Sequence, residues 1–379
     1  MKIVIAPNAF KESLTALQAC EAIERGIKRI FPYAEIVKLP LADGGDGTVV
    51  ALVKALGGEI INYLVSGPLG NQVKAALGVL DGGQIAVIEM AQASGLHLVP
   101  PKERNPLKTS TFGTGELIKN ALDLGVKRII VGLGGSATVD GGIGMAEALG
   151  AHFTDEMGDE VGRGGGALGG LAKINLRKMD NRLKRVKVQA LCDVDNPLTG
   201  TQGAAKIYAP QKGASAEQVK LLEKNLNHMA SLIKAQLHLE VDQLQGAGAA
   251  GGMGAGMAAY LKAPLKNGGE VILGLPSIKR HIAEAHLVIT GEGRIDSQTF
   301  NGKAPQAAAK LAHKYHVPII AIGGQISLTG AMLNNNCFDA MFPLYSEPKP
   351  LNEMFKDTPL ALEQCAAQIL ATVKIGKLL

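Results

Sequence analysis

A two-domain α/β fold is predicted by three features of the sequence. Short β-branched runs recur along the chain, amphipathic helical stripes lie between several of them, and a polar, glycine-rich segment follows each run. The chain's 379 residues are long for one hydrophobic core, and an apolar content of 46% supplies enough material for two. Charged residues make up only 19%, which argues against extended disorder.

The first run, KIVIAP (2–7), leads into NAFKES. Thr15 then opens a helix, with Gln18 three residues on as in a capping box. EIVKLP (35–40) leads into LADGGDGT, KRIIVG (127–132) into LGGSATVDGG, and VKVQALC (186–192) into DVDNPLTG. Ser215 with Gln218 opens a longer helix, whose stripe of Val219, Leu222, Leu226, Met229, Ile233 and Leu237 has helical spacing and reads as core packing. HLVITG (286–291) leads into EGRIDSQT, and VPIIAIG (317–323) into GQIS. Near-continuous apolar strands alternating with helices predict a parallel sheet covered on both faces, with ligands bound beyond the carboxyl ends of its strands.

Residues 59–100 break the alternation. EIINYLVS, QVKAALGVL and QIAVIEMA, separated by GPLGN and DGG, predict an antiparallel meander. The expected organisation is therefore a discontinuous Rossmann-like or flavodoxin-like parallel-sheet domain, residues 1–60, 105–148 and 280–379. A second α/β domain with a mixed or antiparallel sheet, residues 61–104 and 149–279, is inserted into it.

Composition excludes several classes of function. Formal net charge is +5, from 39 basic and 34 acidic residues spread along the chain, too dilute for a nucleic-acid footprint. The densest basic run, RKMDNRLKRVK (177–187), reads as a solvated face. With no Trp and 4% aromatics, stacking platforms are poorly supplied. The four cysteines form no CxxC, and no histidine pair has metal-motif spacing. The opening MKIVIAPNAF reads as a strand and turn, not a secretory signal, and a cytoplasmic protein with reduced thiols is expected. The segment GAGAAGGMGAGMAAYL (246–261) imitates a membrane helix but is shorter than the ~20 residues a span needs.

Glycine, 48 residues and nearly twice ordinary usage, marks the candidate chemistry. In GLGGSATVDGGIGM (132–145), Gly132, Gly134 and Ala137 match a relaxed dinucleotide fingerprint, with Asp155 near where a ribose-binding acid would fall. Glycines then stand where the first helical turns of such a site should be, and no Gly-Lys-Ser/Thr marks a P-loop. The remaining reading is a phosphate cradle. Gly134, Gly135 and Ser136 would offer backbone N–H groups, Ser136 and Thr138 hydroxyls, and Asp140 a carboxylate toward magnesium. Asp43 and Asp46 in DGGDGT, Asp193 with Asp195, and Glu292 with Asp296 put further acids after strands, where oxygen ligands suit Mg2+ or a base. Lys11, Lys212, Arg294 and Lys303 sit in polar loops and as a set can clamp phosphate and a carboxylate. Phosphoryl transfer requires that inventory and no histidine or cysteine nucleophile.

Ten blocks carry a family resemblance. PNAFKESLTA (7–16), PLADGGDGT (40–48), SGPLG (66–70), EMAQASGL (89–96), TSTFGTGELI (109–118) and GLGGSATVDGGIGMAEALG (132–150) resemble the first half of the bacterial glycerate kinase family. CDVDNPLTG (192–200), APQKGA (209–214), GAGAAGGMGAGM (246–257) and VITGEGRIDSQTFNGKAP (288–305) resemble its second half, in order. The resemblance implies an ATP- and magnesium-dependent kinase of D-glycerate, leaning to the 2-position, with two α/β domains and an active site in the cleft between them. In that setting Gly134, Gly135, Ser136 and Thr138 are expected to hold nucleotide phosphates. Asp43, Asp46 and Asp193 are the candidates for metal ligand and base, and Lys11 and Arg294 for holding the glycerate carboxylate or the phosphoryl group. Glu292 and Asp296 would order the site or bind nucleotide. The partners expected are D-glycerate and ATP, with no nucleic acid and no membrane, in a monomer or homodimer. The competing readings are an NAD(P)-dependent dehydrogenase, from the glycine fingerprint, and a non-catalytic hydroxy-acid binding protein.

Overall fold

The computed structural model describes residues 1–10, 13–41, 47–192, 194–297, 299, 304–328, 337–345, 347 and 349–376. The chain divides into two units, one of Met1–Ala42, Lys54–Leu56 and Asn267–Leu379, the other of Asp43–Val53 and Gly57–Lys266.

The first unit is built on a five-stranded sheet in the order Ala340–Pro343, Ile319–Ile326, Leu287–Ile295, Lys2–Pro7, Glu35–Lys38, every pair parallel. The predicted runs form its centre because Ile3, Ile5, Ile289 and Ile322 are buried against helix Ala16–Ile30 and helix Leu351–Gly376. Thr15 caps the first helix with the expected reciprocal bonds to Gln18, at 3.2 and 2.9 Å. Two facing segments depart from expectation. EGRI and GQI, each read as the start of a loop, continue their strands to Ile295 and Ile326, because Glu292, Arg294 and Ile295 stay in parallel register with Gly323, Gln325 and Ile326.

The second unit holds a six-stranded mixed sheet in the order Leu265–Lys266, Lys187–Leu191, Arg128–Gly132, Ile85–Glu89, Gln72–Leu80, Gly58–Ser66. The meander supplies its antiparallel edge, and Ile85–Glu89 also pairs parallel with Arg128–Gly132. That pairing draws residues 105–148, expected with the parallel-sheet domain, into the second unit. At the other boundary, residues 267–279, expected in the inserted domain, group with the first unit, where Gly269 packs on Ala304.

Helix Ala216–Leu237 starts at the Ser215–Gln218 capping box and buries Leu222, Leu226, Met229 and Ile233, with Val219 and Leu237 half-buried against the same core. The glycine-rich segment becomes helix Ala249–Leu261, interrupted by three left-handed residues, Ala250, Gly251 and Gly252. Among the described residues no helix is long and apolar enough to cross a membrane.

Candidate active site

Two neighbouring parallel strands of the second unit, Arg128–Gly132 and Lys187–Leu191, end side by side. Beyond them the chain lines a pocket of about 380 Å³ with Leu133, Gly134, Gly135, Ser136, Cys192 and Lys212. The position is the one ligands favour in such sheets, beyond the carboxyl strand ends.

The loop after Arg128–Gly132 is held from behind by residues 94–96. Leu96 N–H donates to the Gly135 carbonyl at 2.8 Å, and Ala137 N–H to the Ser94 carbonyl at 2.9 Å. These bonds use the loop's carbonyl and its last amide. Among the described residues no carbonyl accepts from the N–H groups of Gly134, Gly135 or Ser136. Gly135 lines the pocket with φ +72°, in the left-handed region that favours glycine. Successive amides without a protein acceptor are the kind of backbone feature from which anion-binding concavities are built.

Lys212 closes that wall. It ends the short turn Pro210–Lys212, and Gly213 follows in the left-handed region (φ +90°), where a Cβ would lie 2.4 Å from the Arg104 carbonyl oxygen. This close approach directs the lysine inward, leaving it 2% exposed. Its Nζ donates to Ser136 Oγ and to the Thr138 carbonyl, both at 2.7 Å. Burial pulls its pKa down to about 7, against the opposing field of Asp140.

Two residues expected to touch phosphate or metal, Thr138 and Asp140, are engaged within the protein. Thr138 does not line the pocket; its carbonyl orients Lys212, while its hydroxyl is buried with no partner among the described residues. Asp140 is fully buried, and its carboxylate accepts from Thr111 N–H at 2.8 Å, Thr111 Oγ1 at 2.9 Å and Gly142 N–H at 3.2 Å. Burial raises its pKa, and the Thr111, Gly142 and Gly144 donors oppose the rise. It therefore ties the loop to helix Phe112–Asp123 and to the start of helix Ile143–Ala148. The latter helix spans six residues behind left-handed Gly141 and Gly142, unlike the long helix a dinucleotide site requires. Asp155 accepts from Met157 and Asp159 in its own turn.

In the first unit, Glu292 is buried and accepts from the Thr299 hydroxyl at 2.6 Å. Arg294, its side chain 59% exposed, lies 3.3 Å from Asp296. Lys11, Asp43, Asp46, Asp193 and Lys303 lie outside the described residues. Among the described residues no three His, Cys, Asp or Glu side chains gather to hold a metal.

Glu89 has a role that reading the sequence missed. It is 2% exposed at the end of strand Ile85–Glu89, and its carboxylate accepts from Val49 N–H at 2.6 Å, in the first turn of helix Thr48–Leu56. It thereby fixes the helix that follows the DGGDGT segment, and the acid after a β-branched run in VIEMAQ was the available signal. Glu89→Ala is expected to lower stability by about 1–3 kcal/mol in urea titrations, because a buried amide loses its acceptor. Glu89→Gln, which keeps an acceptor, should lose less.

The comparisons with known proteins agree on one family. The profile of the glycerate kinase family matches residues 3–374. A Bacillus subtilis (strain 168) protein named glycerate kinase is 50% identical over 377 residues, covering 100% of this chain and 99% of its own. An Escherichia coli (strain K12) protein named glycerate 2-kinase is 47% identical over 376 residues, covering 99% of each. The crystal structure of a Salmonella typhimurium LT2 protein named as a glycerate kinase 2 superposes with a TM-score of 0.82 at 46% identity, covering 100% of both chains.

Proposed function

The chain belongs to the glycerate kinase family and is a kinase, and we propose that it transfers the γ-phosphoryl group of ATP to D-glycerate by direct in-line displacement, yielding 2-phosphoglycerate in preference to 3-phosphoglycerate. The name glycerate 2-kinase on the Escherichia coli relative supports that regiochemistry. The single observation that carries the reading is the wall of unpaired Gly134, Gly135 and Ser136 amides beside the Ser136 hydroxyl and Lys212. Catalysis of this transfer is mostly positioning and charge neutralisation, and that wall offers donors with no acceptor of its own.

In this reading the 134–136 amides and Ser136 Oγ hold the nucleotide phosphates. Arg294, solvent-exposed in the first unit, and Lys11 would bind the glycerate carboxylate or the transferred group. Mg2+ bound with the nucleotide would neutralise phosphate charge. Its assigned ligands, Asp43, Asp46 and Asp193, also include the candidate base for the glycerate hydroxyl. A cytoplasmic monomer or homodimer completes the proposal.

The test is ADP release from ATP and Mg2+ with D-glycerate, L-glycerate or no acceptor, with phosphorus NMR of the product. ADP formed only with D-glycerate, and a 2-phosphoglycerate signal, is the expected result. Acceptor-independent ADP, or none from folded protein, would overturn the assignment to glycerate. A 3-phosphoglycerate signal would overturn the regiochemistry alone.

A further inference from the structure

The pocket contains a buried amine whose neighbours do not neutralise it. Lys212 Nζ meets a hydroxyl and a carbonyl, both neutral, although an ammonium has three N–H donors. Among the described residues no carboxylate forms an ion pair with it, and Asp140 acts on it only through its field. A buried cation without a counter-ion is strongly disfavoured, so the protein must either hold the amine neutral or receive an anion beside it. The adjoining amides of Gly134, Gly135 and Ser136 are likewise without acceptors among the described residues.

We propose that Lys212 is the receptor for an anionic oxygen group of the ligand, which it binds as an ammonium together with the 134–136 amides, so that ligand binding takes up a proton from solvent. The inference rests on reading that loop as an anion site. The balance is simple: the lone pair of neutral Nζ accepts one proton from the buffer as the ligand oxygen arrives, and no other bond is made or broken. Two sources share this chemistry, a phosphoryl group of ATP and the carboxylate of glycerate.

Among the described residues, the other titratable or charged groups near Lys212 are few. Asp140 lies behind it and favours the protonated form. Asp140 also acts on Tyr260 of helix Ala249–Leu261, which does not line the pocket and whose buried hydroxyl has no partner among the described residues. Cys192 and Tyr208 line the same pocket. Arg104 backs the turn at Gly213 through its carbonyl. Asp193, next in the chain after Cys192, lies outside the described residues. The lowered proton affinity of Lys212, about 7, puts the change of charge where binding can drive it.

The experiment is calorimetric titration of the full-length wild type with Mg2+–ATP alone and with D-glycerate alone, at pH 6 and pH 8, in two buffers of different ionisation heat. The expected uptake is about 0.9 proton per bound ATP at pH 8 and about 0.1 at pH 6, with affinity about fivefold weaker at pH 8 than at pH 7. Lys212→Arg, whose guanidinium keeps its charge throughout, should bind with no such uptake. Uptake seen with D-glycerate and not with ATP keeps the proposal, names the carboxylate as the anion, and overturns the phosphate reading of the loop. Uptake in a protein without kinase turnover keeps the proposal and overturns the proposed function. Wild type that binds neither ligand, that binds with under about 0.2 proton taken up at pH 8, or whose uptake survives in Lys212→Arg, overturns it.

Discussion

Lys212→Met is expected to gain stability relative to wild type as the pH falls, while losing at least ~100-fold in kcat/KM. The two effects share one cause. In the unfolded chain the amine titrates near its ordinary 10.5, and in the folded pocket near 7. Between these values the unfolded state binds more protons, so the contribution of Lys212 to stability rises with pH and is lost as the pH falls toward 7. The expected slope is about 1.4 kcal/mol per pH unit for one proton, appearing between pH 7 and 10 in the wild type and missing in the variant. Urea midpoints of both proteins at pH 7, 8 and 9 measure it, and the difference between them cancels every other group that titrates in the window. Parallel curves would mean that the amine is solvated and charged in the folded protein. The activity loss is the other side of the same burial, because an amine that burial holds near neutral in the empty fold becomes an ammonium against the arriving anion.

How legible this was in the sequence differs from element to element. Local signals were read correctly where they are local in origin. The Thr15–Gln18 and Ser215–Gln218 capping boxes both form, and the stripe Leu222, Leu226, Met229 and Ile233 is buried. Strand partnership was not legible, because a β-branched run does not encode its neighbour. Ile85–Glu89 pairs antiparallel on one edge and parallel on the other, and nothing in QIAVIEMA distinguishes the two. The end of strand Leu287–Ile295 was hidden for a similar reason: GEGRI has loop composition, and only its partner GGQI keeps it extended.

At the site, the glycine loop was legible because bare backbone followed by hydroxyls is unusual in itself. Lys212 was visible only as one polar-loop lysine among several, since its burial depends on a close approach between Gly213 and Arg104, far apart in sequence. Asp140 shows the complementary case. Its place among glycines was legible, but the bonds it accepts from Thr111, 29 residues away, were not.

Gly251→Ala is expected to cost about 3 kcal/mol or more and to disable the pocket in whatever fraction remains folded. Gly251 lies in the left-handed region at φ +72°, and a Cβ there would stand 1.9 Å from the Thr138 carbonyl oxygen and 2.7 Å from Val139 Cα. Its own carbonyl accepts from Gly141 N–H at 3.1 Å, so the segment cannot retreat without breaking a bond to the loop it would strike. Thr138's carbonyl is also the acceptor that orients Lys212 at 2.7 Å, and displacing it moves the cation of the anion site. The glycine-rich stretch that imitated a membrane helix is thus explained by contact, since its missing side chains let two backbones meet behind the pocket. Gly158→Ala separates the contributions. Gly158 has φ +92°, and a Cβ added there would meet nothing within 4 Å, so its substitution carries the backbone cost alone, about 1–2 kcal/mol. Urea midpoints for the two variants should differ by the steric contribution, and KM for ATP should rise only for Gly251→Ala. Equal midpoints and equal KM values would mean that the Thr138 carbonyl yields freely, and that the second glycine segment does not support the first.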